Sequence, residues 1–200
     1  MTRPDDTLFF LQQMIIDLSL IDRRHYLAGT DRRENDIEHS ASVMLLCWYI
    51  HDHYEIGLDI TRIIKYALVH DFVERYAGDV NTYASAEELA AKVEKEREAL
   101  TRLSTEFAAF PDLVRSMQAY EDRSDDESLF VWTVDKMQAL IMGDMDNWRP
   151  YAEIGINYQR FHEKFDEIYE QSSPYLREIT RALIDYSRST YYDRPANHKR

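Results

Sequence analysis

The chain reads as an all-α protein, a single compact helical domain, and three observations predict this. Apolar residues recur at three- and four-residue steps along nearly its whole length. Five glycines and five prolines in 200 residues are too little turn material for an all-β fold. Asn35 and Ser85, each just ahead of a periodic stretch, are both followed three residues later by glutamate, the pattern of a capping box.

The elements come in order. Leu8, Leu11, Ile15, Leu18 and Ile21 give residues 7–22 one apolar face, a first helix. RRHYLAGTDRR, 23–33, breaks that period and reads as a polar loop. The NDIE run opens a second helix at Asn35 that continues to about His53. Asp59 caps a third, carrying Ile60, Ile63, Ile64, Ala67 and Leu68, with Gly78 as its stop. Ser85 and Glu88 open a long charged helix that runs through Phe107. Pro111 begins the next, at a position that tolerates proline. DRSDDES, 122–128, is a solvated turn before a helix bearing Leu129, Phe130, Val134, Met137, Leu140 and Ile141. Helices at about 151–171 and 174–190 and a frayed tail at 191–200 complete one domain over 1–200, with neither repeat nor linker.

Composition removes several function classes. The chain carries 24 basic and 37 acidic residues, a net charge of −13, which disfavours a nucleic-acid polymer or an anionic membrane surface as partner. A small phosphorylated ligand stays compatible if a metal and placed arginines offset the repulsion. The one cysteine, Cys47, excludes an internal disulfide and lies in the apolar MLLCWYI as a core thiol. No stretch nears the roughly 18 apolar residues of a membrane span, and MTRPDDTLFF has acids ahead of its apolar part, unlike a secretory signal. A cytoplasmic protein is expected.

Potential metal ligands interrupt the apolar faces at His39, His70, Asp71 and Asp135. A carboxylate at Asp135 needs a positive partner, and Lys136 points about 100° away round a helix. Two imidazoles and two carboxylates form a mixed nitrogen–oxygen shell suited to Mn²⁺, Co²⁺, Fe²⁺ or Zn²⁺ rather than Ca²⁺. Glu74, four residues past His70 and on the same helical face, can reach a water beside such an ion. Each residue also has an ordinary reading: a hydrogen-bonded core histidine, a turn-capping Asp71, a surface Glu74 paired with Arg75 or Arg23, an Asp135 paired with a buried arginine. Spacing alone does not bring three helices together, and both readings stand at this point. A second His-Asp pair, His51-Asp52, lies twelve residues beyond His39 and about 18 Å along the same helix, too far to share its ion. His162 and His198 lack partners at ligand spacing. KVEKEREALTR reads as a solvated face, with a cleft-facing Glu98 as the alternative. YSRSTYYDR reads as a packing or oligomer surface.

RRENDIEHS, ALVHDFVERYAGD and FVWTVDKMQALI, in this order, resemble the signature segments of the HD-domain phosphohydrolase superfamily, whose pattern is H…HD…D. Within it they are most similar to the branch of bacterial 5′-deoxynucleotidases and small HD-domain proteins. The similarity spans about residues 8–145, the signatures falling within 23–145. The resemblance implies an HD-type helical domain, a divalent cation held by His39, His70, Asp71 and Asp135, and catalytic acids at Glu74 and Asp79. Its phosphate-contacting arginine maps to Arg24. Next to it stands His25 where the nucleotidases carry tryptophan, a departure that bears on nucleoside recognition.

The same resemblance implies a metal-dependent phosphomonoesterase acting on nucleoside or deoxynucleoside 5′-monophosphates through a metal-activated water, and a homo-oligomer, with a dimer favoured. Glu74 would orient the water or take its proton, and Asp79 would donate to the leaving oxygen. Three alternatives are a nucleoside triphosphate phosphohydrolase, an alarmone phosphohydrolase and a helical binding module with a purely structural metal. Arg75 stands where alarmone hydrolases usually carry a second acid, and the acidic composition suits a triphosphate poorly.

Overall fold

The computed structural model describes residues 5–78 and 82–193, and it is helical apart from one short ribbon. Helix α1 (Asp6–Leu18) is capped by Asp5, whose carboxylate accepts from the Thr7 amide. It ends earlier than the periodicity predicts, because the chain turns at Ser19 and enters strand β1 (Asp22–Tyr26). β1 pairs antiparallel with β2 (Arg33–Asn35), and an irregularity between Asp22 and Tyr26 breaks the register. This ribbon replaces the expected polar loop. Its segment, DRRHY, has no aliphatic residue and hides the alternation by which a strand is read.

Helix α2 (Asp36–His53) starts on the predicted capping box, with the Asn35 side chain taking the Ile37 and Glu38 amides and Glu38 reaching back to the Asn35 amide. Asp59 caps α3 (Ile60–Val69) as expected. That helix does not run to Gly78, however. It stops at Val69, tight turns carry the chain through His70–Val73, and the short α4 (Glu74–Ala77) comes next. Gly78 then closes α4 at φ 75°, a conformation glycine adopts at little cost. Ser85 and Glu88 form the predicted box at the start of α5 (Ala86–Glu106), and Pro111 opens α6 (Pro111–Glu121).

Helix α7 (Asp126–Met145) begins inside the expected turn, since Asp125 accepts from the Ser128 amide and caps it. The predicted helix at 151–171 is divided into α8 (Arg149–Glu153) and α9 (Tyr158–Gln171), around Gly155 at φ 67°. A single tight turn, Pro174–Leu176, leads into α10 (Arg177–Asp193). Among the described residues no helix is long and apolar enough to cross a membrane.

Three apolar clusters build the interior. Helices α2, α3 and α7 pack mutually around Val43, Cys47, Ile63, Ala67, Phe130 and Val134. Met14 and Leu18 of α1 join Val69, Phe72, Leu103 and Met117 in a second. The third joins Trp148, Tyr151, Phe161, Phe165 and Tyr191, so the carboxyl-terminal tyrosines include a core residue, Tyr191 lying flat on Phe161 at 4.2 Å. Clamped on both sides, the α2–α3–α7 triangle gives its inward polar residues little freedom.

Candidate metal centre

That triangle carries the polar cluster. His39 lies one turn into α2, on the face that also buries Ser40, Val43, Cys47 and Ile50 at steps of three and four. His70 is the cap of α3, and Asp135 sits mid-helix on the buried face of α7. The three are buried, and one ligand atom from each falls within 4.8 Å of the others. Asp71 joins them from the turn after α3: its Oδ2 is 3.2 Å from His70 Nε2 and 3.6 Å from His39 Nε2. The far side is closed by His39 Nε2 and Asp135 Oδ1, 3.1 Å apart.

The rings are oriented for this arrangement. His70 Nδ1 lies 2.8 Å from the Ala67 carbonyl, an acceptor only, so the proton sits on Nδ1 and Nε2 presents a lone pair. That Nε2 is buried and has no hydrogen-bond partner among the described residues. A buried, partnerless imidazole nitrogen between two carboxylates and a second imidazole is the donor set of a borderline divalent cation, and the residues fit one.

Two cations of the chain also reach the acids. Arg23 Nη1 lies 2.5 Å from Asp71 Oδ2 and 3.2 Å from Asp36 Oδ1. Lys136 Nζ lies 2.7 Å from Asp135 Oδ2, which corrects the expectation that it points away. Its backbone position is indeed displaced round the helix, but a four-carbon stem curls back far enough. Burial alone would raise both carboxyls. For Asp71 the adjacent His70 ring and the Arg23 guanidinium outweigh it, for Asp135 the Lys136 charge and the His39 hydrogen bond, and both are held well below the usual range. For His39, burial and Arg23 oppose protonation, yet Asp135, Glu34 and Asp71 prevail and lift it to about 9.

Two depressions meet at Asp135 and Lys136. One is polar, walled by His70, Asp71, Glu74, Lys92, Glu121 and Arg123. The other is an open, mostly apolar cleft, with Tyr83, Tyr151, Phe165 and Ile168 on its walls.

The remaining expected residues lie in several places. Glu74 is buried in the wall of the polar depression, 3.5 Å from Lys92, but opens α4 instead of sharing a helix with His70. Arg24 is exposed on the outer face of β1 and lines the apolar cleft. His25 faces inward, its Nε2 buried and without hydrogen-bond partner among the described residues; burial and the Arg23 charge push it down to about 4. Asp79 lies outside the described residues. Glu98 is exposed, and Glu96 of the same helix lines the polar depression instead. His51 lies 2.9 Å from the Leu58 carbonyl, away from the cluster, at the polar end of its helix. Sequence reasoning misses Arg23, Glu34 and Gln138. The first is legible only as the inward neighbour of Arg24 in a strand, and the sequence shows no strand there.

A family model described as HD domain matches residues 17–177. No curated protein matches. Among solved structures, the chain is similar to a predicted metal-dependent phosphohydrolase from Magnetospirillum magnetotacticum MS-1, at 26% identity and TM-score 0.77, covering 94% of each chain. It is also similar to a protein from Pyrococcus horikoshii OT3, at 19% identity and TM-score 0.62, covering 88% of this chain and 98% of that one. A conserved hypothetical protein from Pyrococcus furiosus aligns with the same coverage, 88% and 98%, at 20% identity and TM-score 0.58. The two Pyrococcus likenesses bear on the fold alone.

Proposed function

The chain belongs to the HD-domain family, and from that membership we propose that it is a metal-dependent phosphohydrolase cleaving phosphomonoesters, with nucleoside and deoxynucleoside 5′-monophosphates as the substrate class. One observation carries the reading: two imidazoles and two carboxylates from three packed helices and a turn gather where a polar depression meets an apolar cleft. His39, His70, Asp71 and Asp135 would hold a divalent cation. Such an ion, when bound, polarises a phosphoryl oxygen and acidifies water.

The chain's own groups supply the rest. Glu74, buried beside Lys92 at the edge of the cluster, accepts a proton from the attacking water. Lys136, whose ammonium lies at the junction of the two depressions, would be free to meet phosphate if Asp135 served as a metal ligand. Arg24 at the mouth orients the phosphate with its planar guanidinium. Tyr83, Tyr151 and Phe165 offer ring faces to a base, and His25 a polar atom to the sugar or base. Asp79 keeps the role of donor to the leaving oxygen.

Charge favours a monophosphate over a triphosphate. The polar depression contains Glu74, Glu96 and Glu121 beside its lysines and arginine, and each added phosphate would meet more repulsion. The alarmone alternative calls for a second acid at position 75, where this chain has an arginine, tied to Asp17 at 2.7 Å and Glu106 at 3.5 Å. The test is release of inorganic phosphate by purified protein with Mn²⁺ or Co²⁺, from dAMP, AMP, dGTP and guanosine tetraphosphate in parallel. Turnover of the monophosphates is expected. Bound metal with no phosphate from any of them would leave a structural module and sink the enzyme reading.

A further inference from the structure

We infer that Glu34, steadied by Gln138, is the positioning residue that sets the ring of His39 for metal binding. The inference deepens the proposed metal site and rests on it.

Glu34 is the middle residue of β2, between the partly exposed Arg33 and Asn35, and its own side chain is turned inward to 3% exposure. A carboxylate taken out of water is tolerated where both oxygens are bound. Gln138 serves one of them: its Nε2 donates to Oε1 at 2.9 Å. The other, Oε2, has no hydrogen-bond partner among the described residues, and neither has Nδ1 of the fully buried His39. These two atoms face each other at 3.6 Å. A movement of about 0.7 Å closes that gap to an ordinary hydrogen bond. The pairing is complementary, since a carboxylate can only accept and a ring Nδ1–H can only donate.

The consequence falls on the opposite nitrogen. With Nδ1–H committed to Glu34, His39 offers Nε2 to the cluster, as His70 does through its bond to the Ala67 carbonyl. A carboxylate behind a ligating imidazole also makes it a stronger donor. Gln138 stands three residues after Asp135 on the same face of α7, so one helix both supplies a candidate ligand and anchors the residue that orients another. A purely structural role, pinning β2 to α7, would leave the ring of His39 indifferent to Glu34.

The test uses the full chain, Glu34→Gln and Glu34→Ala, with two readouts: zinc affinity by calorimetry and the His39 ring tautomer by long-range proton–nitrogen NMR. In the zinc-loaded wild type, His39 should be protonated on Nδ1. Glu34→Ala should mix the tautomers and weaken zinc about 10- to 100-fold. Glu34→Gln, which retains an acceptor but loses the charge, should keep the tautomer and weaken zinc by a smaller factor. If Glu34→Ala does not fold, the isosteric Glu34→Gln decides alone. Wild-type affinity and an unchanged ring signature in a folded variant would overturn this inference while leaving the metal reading intact. Failure of the wild type to bind zinc, manganese or cobalt would overturn both.

Discussion

Replacing Arg23 by methionine tests the electrostatic frame of the site. One guanidinium nitrogen holds two acids: Asp36, whose side chain is wholly buried, and Asp71, at 14% exposure, while Arg23 itself is 16% exposed. Methionine keeps much of the stem and removes the charge, so Asp36 loses this ion pair in a place water does not reach. Breaking a buried pair from one side costs about 3–5 kcal/mol. At 2–4 °C per kcal/mol for a chain of this size, a melting temperature about 6–12 °C lower is expected even at the lower figure. Urea denaturation of wild type, Arg23→Met, Asp36→Asn and the double variant closes a thermodynamic cycle. The double variant should recover more than about 1.5 kcal/mol relative to the sum of the singles, well above an exposed ion pair. Manganese should restore only the share owed to Asp71, because Asp36 is not in the ligand cluster. Additivity within about 0.5 kcal/mol, or a loss below about 1 kcal/mol for Arg23→Met, would refute this reasoning.

Three further outcomes are expected. Asp71→Ala should abolish metal binding and phosphate release together, and a variant that keeps both would remove Asp71 from the site. His25 titrates near 4 in the fold, because burial and Arg23 disfavour its charge, against 6.5 when unfolded. The unfolded chain therefore binds the extra proton between those values, so His25's contribution is complete above pH 6.5 and lost as pH falls toward 4; His25→Gln should flatten the metal-free stability profile over that window by up to about 3 kcal/mol. Gly143→Ala would place a Cβ 2.5 Å from Trp148 Cζ3, in the third apolar cluster, and should cost about 1–3 kcal/mol in denaturation with little change in metal affinity.

How far the chain can be read depends on where each kind of information resides. The caps at Asn35, Asp59 and Ser85 and the helix-opening Pro111 are local chemistry, and the structure places them as the residues dictate. The joint motif signals His39, His70 and Asp135 without showing their convergence; only the packing of α2, α3 and α7 brings them together. The ribbon of β1 and β2 escapes because DRRHY carries no apolar alternation, and its stability comes from contacts distant in sequence. Without the strand, Arg23 and Arg24 are interchangeable; the pleat turns Arg23 toward the acids and Arg24 toward solvent. Glu34 and Gln138, 104 positions apart, can be joined only by the fold. Lys136 shows the limit of a helical wheel, which fixes the direction of a Cβ but not the reach of a flexible side chain.

Anomalous diffraction from crystals soaked in manganese would show whether the His39–His70–Asp71–Asp135 cluster holds a cation. A peak is expected in contact with His39 Nε2, His70 Nε2 and the carboxylates of Asp71 and Asp135, with Arg23 and Lys136 drawn back from the acids they hold in the metal-free chain. Saturating manganese that leaves the cluster without a peak, the four side chains still paired with one another and with those two cations, would contradict it.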